Sequence, residues 1–437
     1  MKKYLPFILL LIGIHLLLLM NLRFTAWPEM VSFPFLSNNG YILYKDMIHA
    51  YPPVLTIILG VMYKIFGYKL IVLKIITWLI IILNDVLIVK ITQKISGSSL
   101  WSLISLIFYV FTQPFLEGNM LWYDLAIVPA ILFAFLSILN RKYFIAGFFF
   151  AVAALAKQNA ALFLIFSIFY VLYRERSIKK LAVFLIGPLL LIATFITKLI
   201  ADSSLMDFLN WTLIYPAKYW TNFPGYVQMG LSHRQLLIFI ALCLPAFFVF
   251  LRRKHLLLIL YFMLSCVLIY PRFSFFHFQA GIAFSAILFG IFINKSKTKL
   301  MLITPLFICL FVVASFPVLK TDWQKESRFW GSEEIKTAKL INNSTKDGDL
   351  LYFFGPHSAI YVFANRLPPK PWVDNYSWYF EIPGVQEDII KKWNTNMPSY
   401  IFAVRQEDGN WFDLGTYRPS KIMDWVKEEK IQVVEIE

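Results

Sequence analysis

The run LAVFLIGPLLLIATFITKLI, residues 181–200, decides the fold class of this chain. It has 20 residues and a single charge, Lys198, which is the length and composition that a helix needs to cross the hydrocarbon core of a bilayer. The segment before it, RERSIKK at 174–180, carries four cations, and the first acid after it is Asp202. The run therefore predicts a membrane-spanning helix with a basic cytoplasmic end and an acidic outer end.

Similar apolar runs recur over the first three quarters of the sequence. The 437 residues are 59% hydrophobic and only 15% charged, whereas a soluble globular protein has about 25% charged residues. This composition excludes both a disordered chain and a single soluble domain. We predict an all-α polytopic membrane bundle of about eleven transmembrane helices, near residues 4–21, 70–89, 99–114, 122–140, 143–156, 158–173, 181–200, 235–251, 255–271, 278–294 and 300–316.

The distribution of charge predicts the orientation of this bundle. With the N-terminus in the cytoplasm, sixteen of the 26 Lys and Arg residues in residues 1–316 fall on the inner side, and six of the eight acids fall in outer loops. This is the positive-inside pattern of an integral inner or plasma membrane protein. Because the basic excess lies at the ends of apolar runs, the net charge of +15 gives no reason to expect nucleic acid as a partner.

One apolar segment is excluded from the spans. Residues 53–66, PVLTIILGVMYKIF, number only 14, about 21 Å as a helix. Counting them as a span would turn most later basic loops outward, so we predict a helix that lies on the outer membrane face. The C-terminal tail is then extracytoplasmic.

The predicted domain organisation follows from this topology. Residues 1–316 form a membrane domain with two large outer loops, 22–69 and 201–234. Residues 317–437, with 18 acids against 15 cations, form an extracytoplasmic α/β domain. Its predicted strands are apolar and rich in β-branched or aromatic residues: 349–354, 399–404 and 431–436. Its predicted helices are 333–342, 385–394 and 420–429.

Four motifs in the membrane domain resemble those of the GT-C class of integral-membrane glycosyltransferases. The first outer loop places Glu29 after Trp27-Pro28, then reads G-x-x-x-Y-x-D from Gly40 to Asp46, then enters the surface helix through a Tyr-Pro-Pro sequence that begins at Tyr51. The other motifs are Leu121-Trp122-Tyr123-Asp124, Leu155-Ala156-Lys157-Gln158, and Tyr270-Pro271-Arg272-Phe273 with His277. Their order and common predicted sidedness are similar to those of the polyprenyl-phosphate-sugar-dependent mannosyltransferase and aminoarabinose-transferase groups.

The resemblance implies an inverting glycosyltransferase that moves a sugar from a polyprenyl-phosphate donor to a lipid, glycan or protein acceptor on the outer face of the membrane. It implies catalytic acids at Glu29, Asp46 and Asp124, which are expected to meet Lys157 at one outer cavity. It implies that the donor phosphate and other substrate groups meet cations and aromatic residues, namely Lys157, Arg272, His277, Arg234, Tyr44 and Tyr51. Membrane lipid is a further expected partner.

The sequence also departs from the family pattern. Glu29 stands alone before Met30, where the family often has an Asp-Glu pair, and Tyr51-Pro52 stands where the aminoarabinose group has a Lys. The choice between Glu29 and Asp46 as general base stays open, and so does the use of a divalent metal ion.

Simpler interpretations of the same residues are also open. Acids are tolerated at the outer rim of a membrane protein, which is the favoured interpretation of Glu117, and rim cations often extend towards the interface from a helix end. Asp85, inside a predicted span, is expected to pair with a neighbouring cation. The alternative function is a polytopic transporter or lipid flippase of the cell envelope, although no internal repeat of the kind common in transporters is present. A third hypothesis is a non-enzymatic surface-assembly protein.

Overall fold

The structure is a computed structural model that describes residues 2–251, 255–293, 297–404 and 417–436. The chain folds into two compact units, and each unit is assembled from three separate stretches of sequence. The first unit comprises residues 1–25, 73–194 and 229–326, and the second comprises residues 26–72, 195–228 and 327–437.

The first unit is helical because its sequence is a series of apolar runs. Two of its helices include residues assigned to the second unit, Leu70–Ser96 at its start and Ile178–Ala201 at its end. The helices are α1 (Leu5–Asn21), α4 (Leu70–Ser96), α5 (Ser99–Val110), α6 (Tyr123–Leu139), α7 (Tyr143–Ala156), α8 (Ala161–Glu175), α9 (Ile178–Ala201), α12 (His233–Leu251), α13 (Leu256–Val267), α14 (Gln279–Ile293) and α15 (Lys297–Asp322).

Several of these helices are shorter than the apolar runs that encode them. In the described part of the chain, three are both long and apolar enough to cross a membrane: Leu70–Ser96, Ile178–Ala201 and His233–Leu251. Others stop early, as α5 does at Val110 before a 3-10 turn at Gln113–Phe115. The count of about eleven spans therefore stays a prediction, while the mostly helical, apolar architecture is confirmed.

Helix α14 lies at the centre of the first unit, with all of its residues from Gln279 to Ile293 buried. Its close approach to α5 depends on Gly290, because a Cβ atom there would overlap Ser105 and the backbone of Trp101. This tight packing fixes the position of α14 and of the loop 271–278 that leads into it.

The second unit contains a three-stranded parallel sheet. Its strands, β1 (Leu351–Phe354), β2 (Tyr400–Val404) and β3 (Gln432–Ile436), occur where the sequence predicts them, and they pair in the order β1-β2-β3. The helices of this unit are α2 (Glu29–Asn38), α3 (Val54–Phe66), α10 (Leu205–Leu209), α11 (Tyr215–Lys218), α16 (Ser332–Ser344), α17 (Ala359–Ala364), α18 (Ser377–Phe380), α19 (Val385–Trp393) and α20 (Ser420–Glu428).

The core of the second unit joins all three of its stretches. It is largely aromatic, and Phe33, Trp211 and Trp372 each bring a different stretch into it. Helix α2 packs against α3 and against α17. The residues at the start of α2 are thereby held close to the segments that follow β1.

Helix α3 matches the segment predicted to lie on the membrane surface. Its 13 residues span about 20 Å, too little to cross the hydrocarbon layer. One face, with Leu59 and Tyr63, is buried, whereas the opposite face leaves Ile58, Val61 and Ile65 exposed. An apolar exposed face is typical of a helix that lies in the membrane interface.

Candidate functional site

Glu29 is the first residue of α2 and follows Pro28. Proline is well suited to the start of a helix, and an acid in the first turn is stabilised by the helix dipole. The side chain is buried, with 6% of the residue exposed. Its Oε1 accepts a hydrogen bond from the Tyr376 hydroxyl at 3.0 Å, whereas Oε2 has no hydrogen-bond partner among the described residues. Burial raises the pKa of this carboxyl group.

A second acid, Asp374, belongs to the same part of the second unit. Its Oδ1 accepts the Asn375 backbone N–H at 3.1 Å, and its Oδ2 accepts the Ser358 hydroxyl at 3.4 Å. Ser358 in turn accepts a hydrogen bond from Ser32, which lies three residues after Glu29 on α2. Burial, followed by the negative charge of Glu29, raises the pKa of Asp374 to about 8. The ionisation of one carboxyl group therefore disfavours ionisation of the other.

Sequence reasoning missed Asp374 and Tyr376. Tyr376 is 347 residues from Glu29, so no local spacing connects them. A signal was nevertheless present, because Asp374 stands within PWVDNYSWYF, residues 371–380, where it is the one charged residue among aromatic and apolar neighbours. An acid in so apolar a segment is expected to be buried, and a buried acid needs a partner.

Asp46, the other candidate base, has a different environment. Its Oδ2 accepts the Ile42 backbone N–H at 3.1 Å and faces the Lys370 ammonium at 3.0 Å. Lys370 also donates to the Gly40 carbonyl at 2.8 Å. Asp46 therefore closes the turn of its own loop and ties that loop to the segment around Lys370.

Tyr44 and Tyr51, predicted to bind substrate, are linked to each other. The Tyr44 hydroxyl donates to the Tyr51 carbonyl at 3.0 Å. Tyr44 is buried and has a positive φ of 72°, so its backbone contributes to the sharp turn of this loop. Substrate binding by either residue stays a prediction.

The first unit brings together three of the predicted site residues. Lys157 Nζ lies 2.5 Å from Asp124 Oδ1, and His277 Nδ1 lies 2.9 Å from Asp124 Oδ2. Asp124 is in the first turn of α6, Lys157 lies in the short segment between α7 and α8, and His277 precedes α14. Burial lowers the pKa of His277, and the charge of Asp124 opposes that effect. The cluster is a buried carboxylate with two nitrogen partners.

Glu117 anchors the loop that carries Arg272 and His277. Its Oε2 accepts the Phe276 backbone N–H at 3.0 Å and also the hydroxyl of Ser274. The position of His277 next to Asp124 therefore depends on a carboxylate from a different loop. Glu117 therefore has a structural role that the sequence did not predict.

Arg234 contacts the backbone of α15. Its Nε donates to the Val313 carbonyl at 3.0 Å, and its Nη2 donates to the Ala314 carbonyl at 2.8 Å. In a regular helix the Val313 carbonyl would accept from residue 317, but Pro317 has no N–H group. Arg234 thus satisfies a helix carbonyl that proline leaves without its usual donor, and substrate binding by Arg234 stays a prediction.

The described residues do not offer an evident site for a divalent metal ion. Among them, no group of three or more His, Cys, Asp or Glu side chains is placed to hold one. The Asp124 cluster includes the Lys157 ammonium, which a bound cation would have to displace. The use of a divalent metal ion stays an open prediction.

Solved structures with a similar fold include two of ArnT from Cupriavidus metallidurans. Its apo crystal structure aligns with a TM-score of 0.58 and 10% sequence identity, over 84% of this chain and 86% of ArnT. Its structure bound to undecaprenyl phosphate aligns with a TM-score of 0.57 and 10% identity, over 83% of this chain and 85% of ArnT. No protein-family model and no curated protein matches the sequence.

The structural alignment extends over most of both chains, whereas the sequences share one residue in ten. At that identity the likeness concerns the fold. It confirms, at the level of the fold, the resemblance that the order of the four motifs indicated, and the chain has the fold of ArnT.

Proposed function

We propose that this chain is an integral-membrane glycosyltransferase that takes its sugar from an undecaprenyl-phosphate-linked donor and transfers it with inversion to an acceptor hydroxyl on the outer face of the membrane. The observation that carries the proposal is Glu29. It is a buried carboxylate with one oxygen fixed by Tyr376 and the other without a partner among the described residues, in a chain with the fold of ArnT.

Glu29 is the better candidate for the general base. A base must have a lone pair available to the proton that it removes. Glu29 Oε2 meets this requirement in a buried position. Asp46 pairs through Oδ2 with the Lys370 ammonium, and taking up a proton would weaken that ion pair. At neutral pH, Asp374 keeps its proton because its pKa is about 8. A neutral Asp374 does not oppose a negative charge on Glu29.

The proposed reaction is a single displacement. Glu29 Oε2 accepts the proton of the acceptor hydroxyl while the acceptor oxygen attacks the anomeric carbon. The new glycosidic C–O bond forms as the bond from the anomeric carbon to the phosphate oxygen breaks, and polyprenyl phosphate leaves with the bonding electron pair. Attack opposite the leaving group inverts the anomeric configuration.

The leaving phosphate is an anion and needs cationic stabilisation. We assign this role to Arg272 and Lys157, with His277 as a further hydrogen-bond donor. Asp124 holds both Lys157 and His277, so its role in this proposal is to position them. The acceptor is a lipid, glycan or protein, and the N-terminus is cytoplasmic with residues 317–437 as an outer α/β domain.

The test is transfer of radiolabelled sugar by the purified protein from a panel of polyprenyl-phosphate sugars. We expect transfer by the wild type and a loss of about 10²–10⁴-fold for Glu29→Gln, the range of a general base. Asp46→Asn is the matched control, and its rate should stay within about tenfold of wild type. Transfer that survives Glu29→Gln would refute the assignment of the base.

A wild type that transfers no sugar, but moves labelled lipid across proteoliposome membranes, would refute the glycosyltransferase and support the flippase. Correct folding of each variant is checked by gel filtration and thermal unfolding before its rate is interpreted.

A further inference from the structure

The interior of the first unit contains a polar network that the proposed reaction does not use. His15 of α1 lies 3.0 Å from Asp85 Oδ2 of α4 through Nδ1, and 3.1 Å from Gln113 Oε1 through Nε2. Gln113 continues the network to Gln279, the first residue of α14, over 3.1 Å. All four side chains are buried, with at most 1% of each residue exposed. Polar groups in such surroundings are costly unless each is paired.

The direction of each hydrogen bond can be read from the backbone carbonyls at one end of the network. Gln279 Nε2 donates to the carbonyls of Leu116 and Phe275, at 2.9 and 3.0 Å. Gln279 Oε1 must therefore accept, and Gln113 Nε2 donates to it. Gln113 Nε2 also donates to the Gly118 carbonyl at 3.0 Å. This second contact independently gives the same orientation of the Gln113 amide.

These assignments determine the role of His15. Since Gln113 presents its oxygen, His15 Nε2 must carry a hydrogen and donate it. Two arrangements satisfy this condition. Either His15 is an imidazolium that also donates from Nδ1 to ionised Asp85, or it is a neutral imidazole whose Nδ1 accepts a hydrogen from protonated Asp85. In both, His15 and Asp85 share one proton, the pair has no net charge, and Nε2 remains a donor.

At its other end, the network reaches the loop 271–278. Gln279 binds the Phe275 carbonyl in that loop, and Gln113 binds Gly118, the neighbour of Glu117. Glu117 holds the same loop through the Phe276 N–H. The Gly118 contact is so close that a Cβ atom at this position would overlap Gln113. His15 is therefore connected to the loop in two ways, through Gln113 and Gln279 and through Gln113 and the turn at Glu117.

We propose that His15 and Asp85 are positioning residues, whose shared proton keeps His15 as a hydrogen-bond donor to Gln113. Gln113 in turn fixes the loop 271–278, through Gln279 and through the turn at Glu117. This loop carries Arg272 and His277. The catalytic consequence of this positioning rests on the proposed function, in which that loop meets the donor phosphate. The mechanical part, the order of the loop, is independent of any reaction.

The experiment compares hydrogen exchange of amides in the loop 271–278 among full-length variants in detergent micelles. His15→Leu removes the donor to Gln113, and we expect loop exchange to be faster by about tenfold or more, as in local unfolding of a loosened segment. Asp85→Asn is the conservative variant. The Asn amide can donate to His15 Nδ1, which leaves a neutral imidazole with Nε2–H, so loop exchange should match the wild type.

The matched control for simple loss of stability is Thr92→Val. Thr92 is on α4, like Asp85, and its buried hydroxyl donates to Ser105 at 3.1 Å, outside the network. Each variant is measured at the same number of degrees below its own unfolding temperature. The proposal is overturned if, under these conditions, His15→Leu changes the exchange rates of the loop amides no more than Thr92→Val does. It is also overturned if Asp85→Asn loosens the loop as much as His15→Leu. Should His15→Leu fail to fold, Gln113→Met breaks the same path and leaves the His15–Asp85 pair in place.

Sugar transfer supplies the second readout. We expect kcat/KM for the donor to fall by about 10²-fold in His15→Leu, the effect of a small displacement of binding groups, and to stay near wild type in Asp85→Asn and Thr92→Val. Loss of activity in Asp85→Asn with an ordered loop would overturn the positioning role, because it would mean that the carboxyl proton itself takes part in function. A wild type without transfer activity would sink the proposed function alone and would leave the exchange result to decide the positioning of the loop.

Discussion

The Asp124–Lys157 pair allows a quantitative test of how the proposed phosphate site is built. The two charges are 2.5 Å apart, with 6% of the Lys157 side chain and 1% of the Asp124 side chain exposed. Breaking a buried ion pair by removing one partner typically costs 3–5 kcal/mol, because the remaining charge is left without compensation. His277 remains as a second partner of Asp124. We therefore expect Lys157→Met to lower the free energy of unfolding by about 3 kcal/mol, the lower end of that range.

The companion variants turn this value into a double-mutant cycle. Replacing both members, in Asp124→Leu with Lys157→Met, removes both buried charges and should cost less than the sum of the single changes, by about 2 kcal/mol or more. The measurement is a denaturant titration of detergent-solubilised protein followed by tryptophan fluorescence. The matched control is Lys198→Met, which breaks an exposed i,i+4 pair with Asp202 at 2.6 Å and should cost at most about 1 kcal/mol.

The reasoning would be refuted if the loss of unfolding free energy in the double variant equalled the sum of the losses in the single variants. It would also be refuted if Lys157→Met lost as little as Lys198→Met. The result also decides how activity data are interpreted. If the pair is strongly coupled, loss of transfer in Asp124→Asn reports a displaced Lys157 and His277, and it is no evidence that Asp124 touches the reacting atoms.

Three further predictions concern single groups. Tyr376→Phe removes the hydrogen bond to Glu29 and should raise the pKa of Glu29 by about one unit; an acidic limb of the kcat/KM profile that stays in place would contradict this. Folding raises the pKa of Asp374 from 3.8 to about 8, so the contribution of this group to stability is fully present below pH 4, is lost as pH rises towards 8, and is constant above. The unfolding temperature of Asp374→Asn should lack this pH dependence, and a pH dependence identical to that of the wild type would exclude the proposed contribution of Asp374. Arg234→Met should lower the free energy of unfolding by about 1 kcal/mol, because the Val313 carbonyl loses its donor. In a denaturant titration, adding Pro317→Ala restores a backbone N–H and should recover part of this stability, and no recovery would disprove the role of Arg234 as a donor to this carbonyl.

Local patterns in the sequence predicted the elements of this fold well. The strands β1, β2 and β3 and the helices α16, α19 and α20 lie within two residues of their predicted bounds at each end, because each combines a clear apolar period with turn residues at its ends. The spans were less predictable. A composition that is apolar on every side cannot show where a helix bends or stops, as α5 does before Gln113.

The site shows a sharper limit. Predicted sidedness and the family resemblance together placed Asp124, Lys157 and His277 at the outer end of the membrane domain, and the structure brings these three together. Asp374 and Tyr376 escaped because their contact with the start of α2 depends on how residues far apart in the chain fold into one unit. Periodicity and motif spacing carry no information on such a contact.

The choice between Glu29 and Asp46 illustrates what decides a role once the residues are known. Both are acids of the first predicted outer loop, and their residue type gives them equal claims as a base. The structure distinguishes them by burial and by the charge of their neighbours. Asp46 Oδ2 accepts from a backbone N–H and faces a lysine, so protonating Asp46 would remove the charge that pairs with Lys370. Glu29 Oε2 can accept a proton without disturbing any such contact. A carboxylate that the fold does not need for its own stability is the one available for chemistry.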